Sequence, residues 1–130
     1  MKLVVWMAMD VRDTDFAVNL YEILPDGTSV QLTGDSLRAR YRESARSETL
    51  VTPGVITRYE FDKFTFFSRR IAKGSRLRLV LTSPNSIYME KNYNSGGVVA
   101  EEGARDAHTA HITLYHDAEH PSSLELPLVK

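Results

Sequence analysis

The stretch Gly74-Ser75-Arg76-Leu77-Arg78-Leu79-Val80-Leu81-Thr82 decides the class of fold, because leucines occupy every second position through most of it. A period of two places alternate side chains on opposite faces of a β-strand, so that one face can be buried and the other solvated. Gly74 supplies a turn before the strand, since glycine adopts positive φ at little cost. The stretch is therefore predicted to be an amphipathic strand of an antiparallel sheet.

The same pattern continues along the chain in both directions. Strands are predicted for residues 2–9, 16–20, 37–41, 55–61, 64–67, 108–115 and 124–128. Turns are predicted at Pro25-Asp26-Gly27, Thr33-Gly34-Asp35 and Pro53-Gly54, because proline presets φ and glycine accepts positive values. No amphipathic helix of ten residues or more is indicated. About eight short strands separated by such turns predict an all-β protein, an antiparallel β-sandwich or jelly roll.

Composition narrows the function classes. The chain has 130 residues and no linker or repeat, so we predict one domain over residues 1–130. The net charge is −1, which favours neither nucleic acid nor an anionic membrane as a partner. Cysteine is absent, which excludes disulfides, thiolate nucleophiles and cysteine-based zinc sites and fits the cytoplasmic location that we predict. The apolar run at residues 3–9 is predicted to be a buried strand rather than a signal peptide or membrane span.

A long polar segment, residues 84–107, is predicted to be a loop. Loops of this length are uncommon in small domains and are often functional. Its candidate functional residues are Asn85, Asn92, Asn94, Gly96 and Gly97.

Five arginines form a candidate interaction face. Three of them, Arg38, Arg40 and Arg42, alternate with apolar residues on one predicted strand, and Arg76 and Arg78 extend the stripe if the two strands are neighbours. Such a face would dock an acidic partner or a carboxylate ligand. The alternative is a solvated face whose charge is balanced by nearby carboxylates.

Two short motifs suggest an esterase. Gly34-Asp35-Ser36-Leu37 matches the nucleophile block of the GDSL lipases, and Asp117-Ala118-Glu119-His120 matches their second signature. There Ser36 would attack an ester, His120 would take its proton and Asp117 would orient the histidine. Those enzymes need helices that this sequence lacks, so turns are the preferred interpretation of both motifs.

Two binding hypotheses are weaker. His116 and His120 flank acidic residues, but zinc-binding pairs of this spacing usually lie on a helix, so we predict a polar turn, no metal and no cofactor. A carbohydrate-binding module would need exposed aromatic residues, whereas most aromatic side chains serve the core.

Several phrases, taken together and in order, resemble one family. They are Asp13-Thr14-Asp15-Phe16-Ala17-Val18, Leu37-Arg38-Ala39-Arg40-Tyr41-Arg42-Glu43-Ser44, Gly74-Ser75-Arg76-Leu77-Arg78-Leu79, Asn92-Tyr93-Asn94-Ser95-Gly96-Gly97 and the closing segment 116–127. The chain resembles the C-terminal domain of the X-Pro dipeptidyl-peptidase and cocaine esterase superfamily of hydrolases.

The resemblance implies a jelly-roll β-sandwich similar to galactose-binding-like domains, with a non-catalytic role. It also implies a partner, a separate α/β-hydrolase domain that holds the Ser-Asp-His triad, and no triad residue maps onto this chain. The family domain usually begins upstream with further strands, so we expect either an excised fragment or a shortened gene product. A missing strand would leave a sheet edge uncovered, and from this we predict a homodimer.

Overall fold

The computed structural model describes residues 1–84 and 86–128. Within these residues it contains seven β-strands and three short 3-10 helices, and no α-helix. The strands are β1 (Lys2–Met9), β2 (Asp15–Ile23), β3 (Ser29–Arg38), β4 (Thr57–Phe61), β5 (Arg76–Thr82), β6 (Ile112–Tyr115) and β7 (Ser123–Glu125). The 3-10 helices are Ala39–Tyr41, Val99–Glu101 and Ala104–Asp106. No helix in the described part of the chain is long and apolar enough to cross a membrane.

The first sheet is built around β1. Strand β4 pairs with one side of β1, and β6 and β7 pair with the other side, one after the other along its length. All these pairs are antiparallel. Residues from both faces of β1 are buried, which explains its nearly continuous apolar sequence.

The second sheet is built around β2, which lies between β3 and β5 in an antiparallel arrangement. Alternate residues of β2 are buried, as the period of two predicts, and they include Phe16, Val18 and Leu20. The pairing of β2 with β3 shifts register between Leu20 and Tyr21, where a β-bulge adds one residue to β3.

The core lies between the two sheets. Alternate residues of β1, among them Val5 and Met7, pack with Phe16 and Val18 of β2 and with Tyr59 of β4. The rings of Phe16 and Tyr59 meet edge to face, with their centroids 5.5 Å apart. The predicted antiparallel β-sandwich is confirmed, whereas its likeness to galactose-binding domains stays a prediction.

The predicted turn at residues 33–35 is wrong, because Gly34 and Asp35 lie inside β3. The glycine allows β2 to approach closely at this position and does not form a turn. A Cβ atom on Gly34 would lie 2.7 Å from Oδ1 of Asn19 on the neighbouring strand.

The strand predicted for residues 37–41 ends early, at Arg38. The chain then turns into the 3-10 helix Ala39–Tyr41, which buries Ala39 and Arg40. The backbone N–H of Ala39 donates to the carbonyl of Thr14, and this bond starts the turn. The alternating pattern therefore does not form one arginine stripe.

The aromatic run at residues 64–67 is not a strand, contrary to the prediction. The surrounding segment is held by side chains instead of by a neighbouring strand. The hydroxyl of Thr33 donates to the carbonyl of Thr65, and Glu22 accepts the backbone N–H of Ala72. Tertiary contacts thus override the β-propensity of the aromatic residues. The strand predicted for 108–115 is also shorter, since β6 begins at Ile112.

Candidate interaction site

A buried ion pair lies where β2 begins. Asp13 is fully buried and Arg40 is 4% exposed. Nε of Arg40 donates to Oδ2 of Asp13 over 2.7 Å, and the backbone N–H of Arg40 donates to Oδ1 of the same carboxylate over 2.9 Å. A buried charge is tolerated when it is paired and hydrogen-bonded in this way. The pair fixes the 3-10 helix against the start of β2.

The long loop joins the same network through Asn92. Its side-chain amide donates to Oδ2 of Asp13 over 2.7 Å and to Oδ1 of Asp15 over 2.9 Å. Arg40 closes the network by donating to the carbonyl of Gly97 over 2.7 Å. Two groups of residues that the sequence suggested separately, the arginines and the loop residues, therefore belong to one network.

The loop has two positions of left-handed backbone that help to shape it. Asn94 has φ of 67°, and its side-chain amide donates to the carbonyl of His108 over 2.8 Å. Gly96 has φ of 81°, and a Cβ atom there would lie 2.9 Å from Cβ of Arg12. Asn85, the remaining candidate of this loop, lies outside the described residues. A binding function for this loop stays a prediction.

The five candidate arginines have different environments. Arg38 pairs with Asp15 at 2.8 Å, and the hydrogen bonds that its guanidinium donates to that carboxylate raise the pKa of Arg38. Arg42 donates to the carbonyls of Ala39 and Thr49. With Arg40 buried, the three arginines of this segment are used largely within the chain.

The two arginines of β5 differ from these three. Arg76 and Arg78 are exposed, and neither forms an ion pair with a carboxylate within the described part of the chain. If an arginine face binds a partner, these two have their guanidinium groups available for it. That role stays a prediction.

The esterase motifs do not form an active site. Ser36 is exposed on β3, and neither of the two surface grooves that it lines contains a histidine among its described residues. His120 instead packs against the rings of Trp6 and Tyr115 in the other sheet, at centroid distances of 5.4 and 5.5 Å.

The predicted turn at residues 117–121 is confirmed by its hydrogen bonds. Oδ1 of Asp117 accepts the backbone N–H groups of Glu119 and His120 over 2.9 and 2.8 Å. The hydrogen bond from the backbone N–H of His120 lowers the pKa of the Asp117 carboxyl, and the hydrogen bond with the His120 ring adds a smaller effect in the same direction. Asp117 therefore shapes the turn, and the motif has a structural explanation.

The metal and carbohydrate hypotheses gain no support. Within residues 1–84 and 86–128, no three His, Cys, Asp or Glu side chains are grouped so that they could hold a metal ion. Tyr59 is buried in the core, where desolvation raises the pKa of its hydroxyl to about 12. Trp6 is partly covered by His120.

An uncovered apolar surface lies along one side of the sandwich, and sequence analysis did not locate it. Leu77, Leu79 and Leu81 of β5 stand opposite Glu22, Leu20 and Val18 of β2, which are buried. Directly opposed residues of antiparallel strands share a face, so the three leucines face the interior of the sandwich. Leu77 and Leu79 are nevertheless 44% and 37% exposed.

The first sheet has the same feature at β6. Ile112 and Leu114 stand opposite Met9 and Met7, which are buried in the core, yet they are 38% and 49% exposed. Strands β3 and β4 contact each other at one side of the sandwich, so the strand orders of the two sheets place β5 and β6 at the opposite side. We call this side, with the exposed residues of β5 and β6, the open side.

Comparison with known proteins gives consistent matches. A family model described as the X-Pro dipeptidyl-peptidase C-terminal non-catalytic domain matches residues 1–125. Cocaine esterase from Rhodococcus sp. (strain MB1 Bresler) is 34% identical over 118 residues, which are 91% of this chain and 20% of the esterase. The fold is also similar to an aminopeptidase from the marine sediment archaeon Thaumarchaeota archaeon, with a TM-score of 0.85 and 19% identity over 93% of this chain and 21% of that one. The chain thus spans about a fifth of the length of these two proteins.

Proposed function

Because the chain belongs to the family of X-Pro dipeptidyl-peptidase C-terminal non-catalytic domains, we propose that it serves as the accessory domain of a serine hydrolase. In this role it packs against an α/β-hydrolase domain and stabilises it, while the catalytic triad lies in that domain. The enzyme as a whole would hydrolyse acyl esters, amides or X-Pro peptides and would work in the cytoplasm.

The open side is the observation that supports this role best. Isolated soluble domains rarely leave a contiguous set of core-facing apolar side chains exposed, and such surfaces usually mark a contact with another protein or domain. Leu77 and Leu79 are presented by one sheet, and Ile112 and Leu114 by the other. A neighbouring domain that covered all four would complete the core of the sandwich.

A second candidate, self-association, uses the same surface. Uncovered strand edges pair readily with other chains, and two copies that joined at their open sides would form a homodimer. Light scattering on the purified chain across a wide concentration range separates the two candidates. The accessory role expects a monomer in the absence of the hydrolase domain.

The accessory role is tested by a chimera with the Rhodococcus cocaine esterase. The segment of the esterase that matches this chain is replaced by residues 1–125, and a truncated esterase that lacks the segment is the control. We expect the chimera to hydrolyse ester and to survive heating better than the truncated enzyme. A chimera no better than the truncated enzyme would contradict the proposal.

A further inference from the structure

Strand β5 of the open side has one apolar face and one face that carries arginines. Along β5 the interior-facing positions are Leu77, Leu79 and Leu81, and the alternate positions Arg76 and Arg78 face the outside. Among the described residues β5 pairs with β2 alone, so its second edge has backbone N–H and C=O groups free to accept another strand. The edge thus offers unpaired backbone groups, an apolar interior row, and an exterior row that is basic at Arg76 and Arg78 and uncharged at Val80 and Thr82.

These three elements define the partner. A strand added to the edge must place apolar side chains toward the interior, where they cover Leu77 and Leu79. Its alternate side chains stand on the exterior beside Arg76 and Arg78, and acidic residues are favoured there, since opposite charges on neighbouring strands attract. The register of β2 and β5 covers seven residue pairs, so a segment of similar length would fill the edge.

We propose that β5 is a strand-addition site for an extended segment that alternates apolar and acidic residues. The segment belongs to the hydrolase part of the protein, so this inference rests on the proposed function and specifies how the two parts join. Such additions derive affinity from main-chain hydrogen bonds and specificity from the alternate side chains.

The charge of β5 argues against a second copy as the occupant. If two copies of β5 paired antiparallel along their whole length, Arg76 and Arg78 of each strand would stand opposite Thr82 and Val80 of the other, and neither guanidinium group would gain a counterion. Opposite charges on neighbouring strands stabilise a strand pair, and a second copy provides none beside these arginines. An acidic segment would supply the counterions, because no carboxylate among the described residues forms an ion pair with Arg76 or Arg78.

The first test uses the 130-residue chain and a synthetic peptide, Thr-Val-Thr-Val-Glu-Val-Glu, with both ends capped, whose two Glu residues stand opposite Arg78 and Arg76 in an antiparallel register with residues 76–82. Binding is followed by NMR, together with the amide exchange rates of residues 76–82. We expect the peptide to slow exchange along β5. Arg76→Glu/Arg78→Glu should weaken binding of this peptide about tenfold. The same variant should instead bind a second peptide, in which Lys replaces Glu, about as tightly as the original chain binds the first. The matched control, Arg46→Glu/Arg105→Glu, reverses two other exposed arginines and should change nothing.

Three outcomes would overturn the inference. One is the absence of any protection along β5, and another is equal affinity for the Glu and Lys peptides. The third is a dimer of the chain alone in which the β5 amides are already protected, since a second copy would then fill the edge.

The chimera separates this inference from the proposed function. If the unmodified chimera is active and heat-stable, the accessory role stands. Arg76→Glu/Arg78→Glu in that chimera should then lower its inactivation temperature, whereas Arg46→Glu/Arg105→Glu should not. An active chimera that is insensitive to both double variants would refute strand addition and leave the accessory role intact.

Discussion

Replacing Asp13 by alanine should destabilise the domain severely. The carboxylate accepts hydrogen bonds from Nε and the backbone N–H of Arg40 and from the amide of Asn92, all over 2.9 Å or less. The variant removes the buried counterion of a guanidinium that is 4% exposed and leaves it only the more distant, half-exposed carboxylate of Glu48, at 3.4 Å. Removing one partner of a buried ion pair costs about 3–5 kcal/mol. Domains of this kind are stable by about 5–15 kcal/mol, so a large share of the stability would be lost.

Urea unfolding measures this loss. Trp6 is the single tryptophan and its ring contacts His120, so its fluorescence reports on the first sheet. With a urea dependence of about 2 kcal/mol per molar, the midpoint should fall by about 2 M in Asp13→Ala. Arg105→Ala is the control, because Arg105 is exposed and its ion pair spans 3.7 Å, and it should shift the midpoint little.

A double-mutant cycle tests the cause. Arg40→Met also breaks the pair, but the double variant Asp13→Ala/Arg40→Met leaves no unpaired charge in the interior. We expect the double variant to be clearly more stable than the sum of the two single effects implies. Strictly additive losses, or a loss below about 1 kcal/mol for Asp13→Ala, would refute the argument that a buried pair holds this region.

Three further predictions follow from other contacts. Gly96→Ala should lower the free energy of unfolding by about 1–2 kcal/mol or more in urea denaturation, because of its positive φ and the contact with Arg12, whereas Gly27→Ala, which has positive φ but no close neighbour, should cost less. The backbone N–H of Ala72, with Arg69, lowers the pKa of Glu22 from 4.5 to about 2, so its contribution to stability is complete above pH 4.5 and is lost as the pH falls toward 2; Glu22→Gln should flatten the stability curve in that window, and an unchanged curve would contradict this. The isolated chain should not hydrolyse p-nitrophenyl acetate above the buffer rate, and a turnover that disappears in Ser36→Ala would contradict the non-catalytic assignment.

The sandwich was predictable because its evidence is local. The period of two in Leu77, Leu79 and Leu81, and the turn at Gly74, depend on residues close together in sequence, and both are confirmed by β5 and the turn before it. The apolar run at the start of the chain was likewise recognisable as β1, since a strand buried on both faces needs no alternation.

The strand predictions were wrong where contacts between residues far apart in sequence determine the backbone conformation. The alternation through residues 37–42 continues past the end of β3, and only the contacts of Ala39 with Thr14 and of Arg40 with Asp13 reveal the turn. These contacts join residues 25 to 27 positions apart, and no local pattern encodes them. The aromatic residues in 64–67 have strong β-propensity, but they pair with no strand in the described part of the chain.

The candidate site was predictable only in pieces. Asn92 stood out because it lies in a polar loop of unusual length, and Arg40 because of its spacing, but nothing in the sequence linked the two through Asp13. The open side was expected in general terms as an uncovered edge. Locating it required the registers of β5 with β2 and of β6 with β1, which show that the exposed leucines and isoleucine face the interior. The sequence alone does not reveal which interior-facing residues lack a covering neighbour.

The pairing of β1 has a consequence for the order of folding. This strand comes before the other six in sequence, yet its neighbours are β4, β6 and β7, the last of which ends at Glu125. The first sheet can therefore be completed only by segments that are far from β1 in sequence. Pairing between such distant segments is slow, and exposed apolar strands can aggregate while they wait. By contrast, β2 and β3 are joined by a tight turn and can pair early. The second sheet can thus form while β1 is still unpaired.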